Sequence, residues 1–200
     1  MDPNSQKGFI QHHFRGLLGK SKSGAGFTLI EAIVATAVFA IVVSSIIGVY
    51  LSTFQLDRKT RAQRAVSDNA RFIMEFLGKE VRNGTIDYTG ANSCVNSDTV
   101  LCVVNQALEP EKFSYDGTAN LVLTKSPNFS NLNSGGIKIT AIHFFVSPAG
   151  DPYTAAKTYN EQPYVTVALT LSSNYGNKTG ETATLNLEST YVTRSYPSRE

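Results

Sequence analysis

Residues 24–40 read GAGFTLIEAIVATAVFA. A carboxylate, Glu31, stands near the start of the most hydrophobic segment of a 200-residue chain, and the next charged side chain after it is Asp57. Residues 32–56 between them carry no charge and no proline. As a helix rising about 1.5 Å per residue they would run roughly 37 Å, longer than the ~30 Å hydrocarbon core of a bilayer. A core helix of a soluble domain keeps polar positions on one face, and none recur here. The segment reads as a membrane span. The competing reading is a cleaved secretory signal, with Ala35-Thr36-Ala37 as its small-residue cleavage site. A signal core runs only about 7–15 residues, and this apolar run continues well past that site.

The lone carboxylate needs a partner. A charged side chain inside a bilayer is costly, less so near the interface, and it usually pairs with another group. No Lys or Arg lies between Lys22 and Arg58, so no cation sits within a turn or two inside the span. The remaining partners are a lipid headgroup, another chain, or a charge that the sequence does not display. A newly made α-amino group is positive at neutral pH. A cut just before Phe27 would create one within about one helical turn of Glu31.

Here the residues carry a resemblance. Lys22-Ser-Gly-Ala-Gly26-Phe27-Thr28-Leu29-Ile30-Glu31, following a basic leader and opening an apolar helix, resembles the processing motif of type IV prepilins and type II secretion pseudopilins. The resemblance implies cleavage by prepilin peptidase between Gly26 and Phe27, N-methylation of Phe27, and pairing of Glu31 with a neighbour's amino terminus during filament assembly. It covers about 30 residues closely, by the short-motif standard. Where many major pilins have a helix-breaking proline, this chain has Gly48 beside Ser44 and Ser45. Glycine is a weak breaker, about 1 kcal/mol worse than Ala. Small residues also allow close approach of helices in a bundle, which is the preferred reading.

Charge sets orientation only in part. Lys7, Arg15, Lys20 and Lys22 outweigh Asp2 in the leader and would hold it in the cytoplasm. Arg58, Lys59, Arg61 and Arg64 compete from the other side. The processing motif breaks the tie, because prepilin peptidase of the resembled family acts on the cytoplasmic side. The net charge of +2 comes from the leader, since residues 57–200 hold 14 basic and 14 acidic side chains. That balance argues against a dedicated basic face for nucleic acid. The cluster at 58–64 reads as a solvated helix face just outside the bilayer, with DNA or anionic lipid as the competing partners.

Beyond the span, Val66, Ala70, Ile73, Leu77 and Val81 recur at helical spacing, and Phe72 and Phe76 widen that stripe. Arg64, Asp68, Arg71, Glu75, Lys79 and Arg82 fill the opposite face, with Asp68/Arg71 and Glu75/Lys79 spaced to pair. Gly84 marks the stop. One helix over 28–83 is predicted, apolar all round at first and one-sided later; the second half should pack on a globular domain and the first stand free of it.

After Gly84 the period changes. Segments 100–104, 120–124, 137–146, 164–171 and 183–192 read as strands, with Val165, Val167, Leu169 and Leu171 alternating against Thr166 and Thr170. Turn-rich pieces at 131–136, 147–152 and 172–180 separate them. No helix-length segment intervenes, so the sheet should be antiparallel. The predicted fold is α+β, pilin-like: a leader over 1–26 that is cleaved, a transmembrane and filament-core half-helix over 27–56, an amphipathic half over 57–84 and a β-rich domain over 85–200. In an exported domain Cys94 and Cys102 should form a disulfide, the alternative being two reduced thiols; a zinc site would need two further ligands.

No enzyme motif stands out. His143 lies in an apolar strand and reads as packed or edge rather than as a general base. GxSxG, HExxH and P-loop patterns are lacking, and Gly24-Ala-Gly26 is not preceded by a strand. Glu109, Glu111, Asp116 and Asp151 lack calcium-ligand spacing. Asn83-Gly-Thr85, Asn128-Phe-Ser130 and Asn177-Lys-Thr179 fit the glycosylation pattern, a weak reading for a bacterial prepilin. The sequence therefore points to a non-catalytic structural subunit without cofactor or metal. The resemblance implies an inner-membrane protein with its domain outside the cytoplasm, later part of a pilus or pseudopilus. Length, strand content and the cysteines favour a minor pilin or minor pseudopilin. Its partners would be other subunits, prepilin peptidase, the inner-membrane assembly platform and membrane lipid. Adhesion, twitching, DNA uptake and secretion remain open as tasks. The alternative is a single-pass membrane-anchored binding or enzymatic domain that does not polymerise.

Overall fold

In the computed structural model residues 26–90, 94–153, 161–173 and 182–194 are described. The leader up to residue 25, the glycosylation pattern at Asn177 and most of the predicted 172–180 turn lie outside them. The chain divides into two units, Met1–Gly48 and Val49–Glu200.

A single helix, α1, spans Leu29–Asn83. Thr28 caps it: its Oγ1 accepts a hydrogen bond from the Glu31 amide at 3.3 Å, and its carbonyl accepts from Ala32 at 3.2 Å. A threonine at this position satisfies one of the amides that a helix start leaves without a partner. Within the first unit every described side chain is exposed except the half-covered Val43. The hydroxyls here are tied back to the helix. Thr36 donates to Ala32 and Ile33 carbonyls, Ser44 to Ala40 and Ser45 to Ile41. Such back-bonding hides polar groups from an apolar solvent. The helix runs without interruption through Gly48, where an added Cβ would meet nothing within 4 Å.

In the second unit the predicted stripe is the helix's contribution to the core. Val66 is 1% exposed, and Ala70, Ile73, Leu77 and Val81 are fully buried; Ala62, Met74 and Gly78 join them. Phe76 packs edge-on against Phe113 with ring centroids 6.1 Å apart, whereas Phe72 is exposed and only stacks on Phe76. Arg71 pairs with Glu75 at 3.2 Å rather than with Asp68. The helix ends where predicted because the strand at Val100–Val104 crosses closely: a Cβ on Gly84 would lie 2.5 Å from the Val104 carbonyl oxygen.

Two antiparallel sheets share this core. The first is a meander of β1 (Thr85–Ile86), β2 (Val100–Val104), β3 (Pro110–Tyr115), β4 (Leu121–Lys125) and β5 (Asn128–Asn131) in that order. The second holds β6 (Ile137–Ser147), β7 (Tyr164–Ser173) and β8 (Thr184–Val192). Strands β2, β4, β6, β7 and β8 fall on the five predicted segments; β1, β3 and β5 were not foreseen, nor was the division into two sheets. Inward residues of both sheets, among them Leu101, Phe113, Leu121, Ile139, Phe144, Val167 and Leu169, form one cluster with the helix stripe. Asn133 locks the junction of the sheets. Its Oδ1 accepts from Leu121 N at 3.1 Å and its Nδ2 donates to the Ile137 carbonyl at 2.7 Å. Nearby, Ser134 N donates to Asn69 Oδ1 of the helix at 3.0 Å.

Cys94 and Cys102 are bridged. The bridge closes an eight-residue separation over which Asn96 also bonds Asp87 O and Cys102 N. Loop closure of this size is worth about 2–3 kcal/mol. The paired substitution Cys94→Ser/Cys102→Ser is expected to lower the unfolding free energy by about that amount in denaturant titration, with an unchanged far-UV spectrum; an unchanged midpoint would show that the side chain of Asn96 alone fixes this loop.

Candidate functional site

The residues singled out by the motif sit together at the start of α1. Gly26, Phe27 and Thr28 precede the helix, and Glu31 lies in its first turn. Phe27 is 76% exposed, Leu29 81% and Ile30 67%. The segment just before the helix is thus open to an enzyme on the described side of the scissile bond. Glu31 stands four positions after Phe27, about 6 Å of rise if helical. Among the described residues no side chain forms an ion pair with the Glu31 carboxylate. Thr28 was not foreseen as a cap, although Thr28-Leu-Ile-Glu31 has the Thr-x-x-Glu form of a capping box. Its consequence is chemical. The Glu31 amide is satisfied within its own chain, and an acidic residue in the first turn also interacts favourably with the helix dipole, by about 0.3–1 kcal/mol.

The cysteines belong to the globular part, where the bridge lies against β2. His143 is on the exposed face of the edge strand β6; its Nδ1 lies 2.8 Å from Asp98 Oδ2, tying β6 to the turn before β2. The acidic residues considered for calcium have separate structural tasks. Glu111 is fully buried and bonds Lys125 and, at 2.7 Å, Asn105 Nδ2. The same carboxylate raises the Lys125 ammonium pKa above its ordinary value, foremost by that hydrogen bond. Among the described residues no group of three or more His, Cys, Asp or Glu is placed to hold a metal ion. A cleft of about 250 Å³ beside β1 is lined by Asp87, Tyr88, Asp151 and Tyr153. Burial, foremost, and the neighbouring Asp151 raise the Tyr88 phenol pKa, which keeps the hydroxyl protonated.

Asp116 organises the β3–β4 turn. Its Oδ1 accepts from the amides of Thr118, Ala119 and Asn120 at 2.8–2.9 Å, and Gly117 takes φ +80°. These bonds, foremost that from Asn120, hold the carboxyl well below the usual carboxylate range. A depressed folded-state pKa gives stability that is present above the unfolded value and is lost as pH falls. Native protein and Asp116→Asn should differ in melting temperature at neutral pH and converge progressively below about pH 4. A difference that persists undiminished in acid would assign the effect to side-chain shape rather than charge.

Comparison with known proteins bears on the first of these regions. Residues 21–47 match the family described as the prokaryotic N-terminal methylation motif. No curated protein and no solved structure matches the chain. The match and the apolar helix that it opens fit a type IV pilin-like protein, processed as a prepilin of the pilin or pseudopilin type. In general such a motif implies processing by prepilin peptidase and assembly with other pilin subunits. The helix is long and apolar enough to cross a membrane by length and composition, consistent with a single-pass anchor.

Proposed function

We propose that the chain is a structural subunit, without catalysis of its own, of an extracytoplasmic filament: a type IV pilus or a type II secretion-like pseudopilus. The precursor waits in the inner membrane with its globular part outside the cytoplasm. Prepilin peptidase cuts between Gly26 and Phe27, the new amine is methylated, and an assembly platform draws the subunit out as apolar helices bundle. Glu31 fixes register by pairing with the amino terminus of a neighbour. The β-rich part, with its three-stranded and five-stranded sheets and its bridge, favours a minor subunit over a small major one.

One observation carries this reading: the methylation motif at 21–47 opens an exposed apolar stretch of helix, residues 29–56, whose one carboxylate, Glu31, forms no ion pair among the described residues. The experiment is the amino-terminal mass of the mature protein from its native host. A chain that begins at Phe27 and is one methyl group heavier is expected. Working protein that retains its first 26 residues would overturn the proposal. The first-turn position of Glu31 supports a second reading, an anchored domain that never polymerises, because the helix dipole gives its carboxylate a local task without a neighbour. Substitution at Glu31 separates the two.

A further inference from the structure

The charge pattern just beyond the apolar run has a geometry of its own. Arg58, Lys59, Arg61 and Arg64 follow Leu56, the last residue of that run, and with Asp57 they give residues 57–64 a net charge of +3. All are exposed, and Arg61 is paired to Asp57 at 2.9 Å. At about 100° per residue the four cations leave no gap wider than about 140° around the helix. They form a ring, not a face. A duplex approaches a helix from one side and would be met by aligned cations, whereas lipid headgroups surround a spanning helix on every side.

Depth points the same way. The first helix residue covered by the globular part is Ala62, 1% exposed. From Leu56 to Ala62 the helix rises about 9 Å. The polar layer on each side of a bilayer's hydrocarbon core is roughly 5–8 Å deep. With the apolar run in the hydrocarbon, residues 57–61 fill that layer, the packed part of the helix begins where it ends, and Arg64, about 12 Å beyond Leu56, reaches back to it along a stem that helix geometry tilts toward the N-terminus.

We infer that Arg58, Lys59, Arg61 and Arg64 form a collar that selects anionic phospholipid headgroups around the anchored chain. This rests on the membrane-anchored part of the proposed function and on none of its assembly steps. Long side chains carry the charges outward while their stems lie on the acyl boundary, and each cation near an anionic surface contributes on the order of a fivefold preference.

The test uses the full chain reconstituted in phosphatidylcholine vesicles containing a minor fraction of phosphatidylglycerol. After flotation, the lipids retained on the protein are counted by native mass spectrometry. Retained phosphatidylglycerol should be enriched on the order of tenfold over its share of the bilayer, less so at high salt. The quadruple substitution of the collar residues to Gln should abolish the enrichment, and Arg71→Gln/Lys79→Gln, farther along the helix, should leave it intact. A chain that floats without enrichment, or a quadruple variant that keeps it, overturns the inference alone. A chain that does not float overturns the anchored reading with it. Retention of duplex DNA by the native chain and not by the quadruple variant, with no lipid preference, would reassign the collar to nucleic acid.

Discussion

Glu31→Ala is expected to leave cleavage before Phe27 intact and to reduce incorporation into surface filaments by roughly thirtyfold or more, the size set by the cost of stripping one partner from a desolvated ion pair, about 2–5 kcal/mol. Cleavage should survive because Phe27 and Gly26 precede the helix, and Thr28 caps it through its own hydroxyl. The local role of Glu31 is small by comparison. A first-turn carboxylate gains about 0.3–1 kcal/mol from the helix dipole, too little to account for a thirtyfold loss. Three substitutions separate the roles. Glu31→Gln keeps a capping-box side chain and removes the charge, so it should assemble as poorly as Glu31→Ala. Glu31→Asp keeps the charge on a shorter stem and should recover part of the incorporation. If Glu31→Gln assembles like the native protein, the carboxylate serves its own helix and the inter-subunit pairing is wrong. The measurement is the ratio of filament-bound to membrane-bound mature subunit, with cleavage followed by mass in the same samples.

How far the sequence reaches can be judged from particular residues. The helix was legible because two independent signals agree along it: absence of charge over 32–56 and spacings of three and four from Val66 to Val81. Strands β7 and β8 were legible because one apolar face alternates with threonine, asparagine and glutamate. Strand β3 was not, because its inward positions are Glu111 and Phe113. A charge at a core position breaks the alternation. Only the fold supplies the compensation, through Lys125, directly across on β4, and Asn105. Strand β5 reads Asn-Phe-Ser-Asn and is exposed throughout, so it has no apolar face to announce it. The split into two sheets depends on Asn133, an asparagine in a turn-rich stretch whose partners lie on both sides of the break. In the candidate site the motif was legible because it is contiguous. Thr28 carried a readable signal in its spacing to Glu31 that the reading of Glu31 as a membrane charge obscured.

The close contact between α1 and β8 gives a prediction whose sign depends on a second residue. Gly78 is buried in the helix, and a Cβ there would lie 2.5 Å from Cε1 and 2.9 Å from Cδ1 of Tyr191. In an open helix Gly→Ala is favourable by about 1 kcal/mol. Here the ring cannot swing aside freely. Its hydroxyl donates to the Met74 carbonyl at 2.8 Å, and Arg82 lies over the ring at 5.9 Å while its Nε donates to the Gly78 carbonyl. Moving Tyr191 forfeits that hydrogen bond, and holding it overpacks the contact; either route costs about 1–3 kcal/mol or somewhat more. Gly78→Ala should therefore destabilise the protein by about 1–3 kcal/mol in urea titration of the detergent-solubilised chain. In a Tyr191→Ala background the clash is gone and only helix propensity remains, so the same substitution should stabilise by up to about 1 kcal/mol. The double-mutant cycle isolates the contact, because the two residues touch and should couple strongly. If Gly78→Ala costs the same with and without the Tyr191 ring, β8 is not held against the helix by this pair, and the glycine answers to some other constraint on α1.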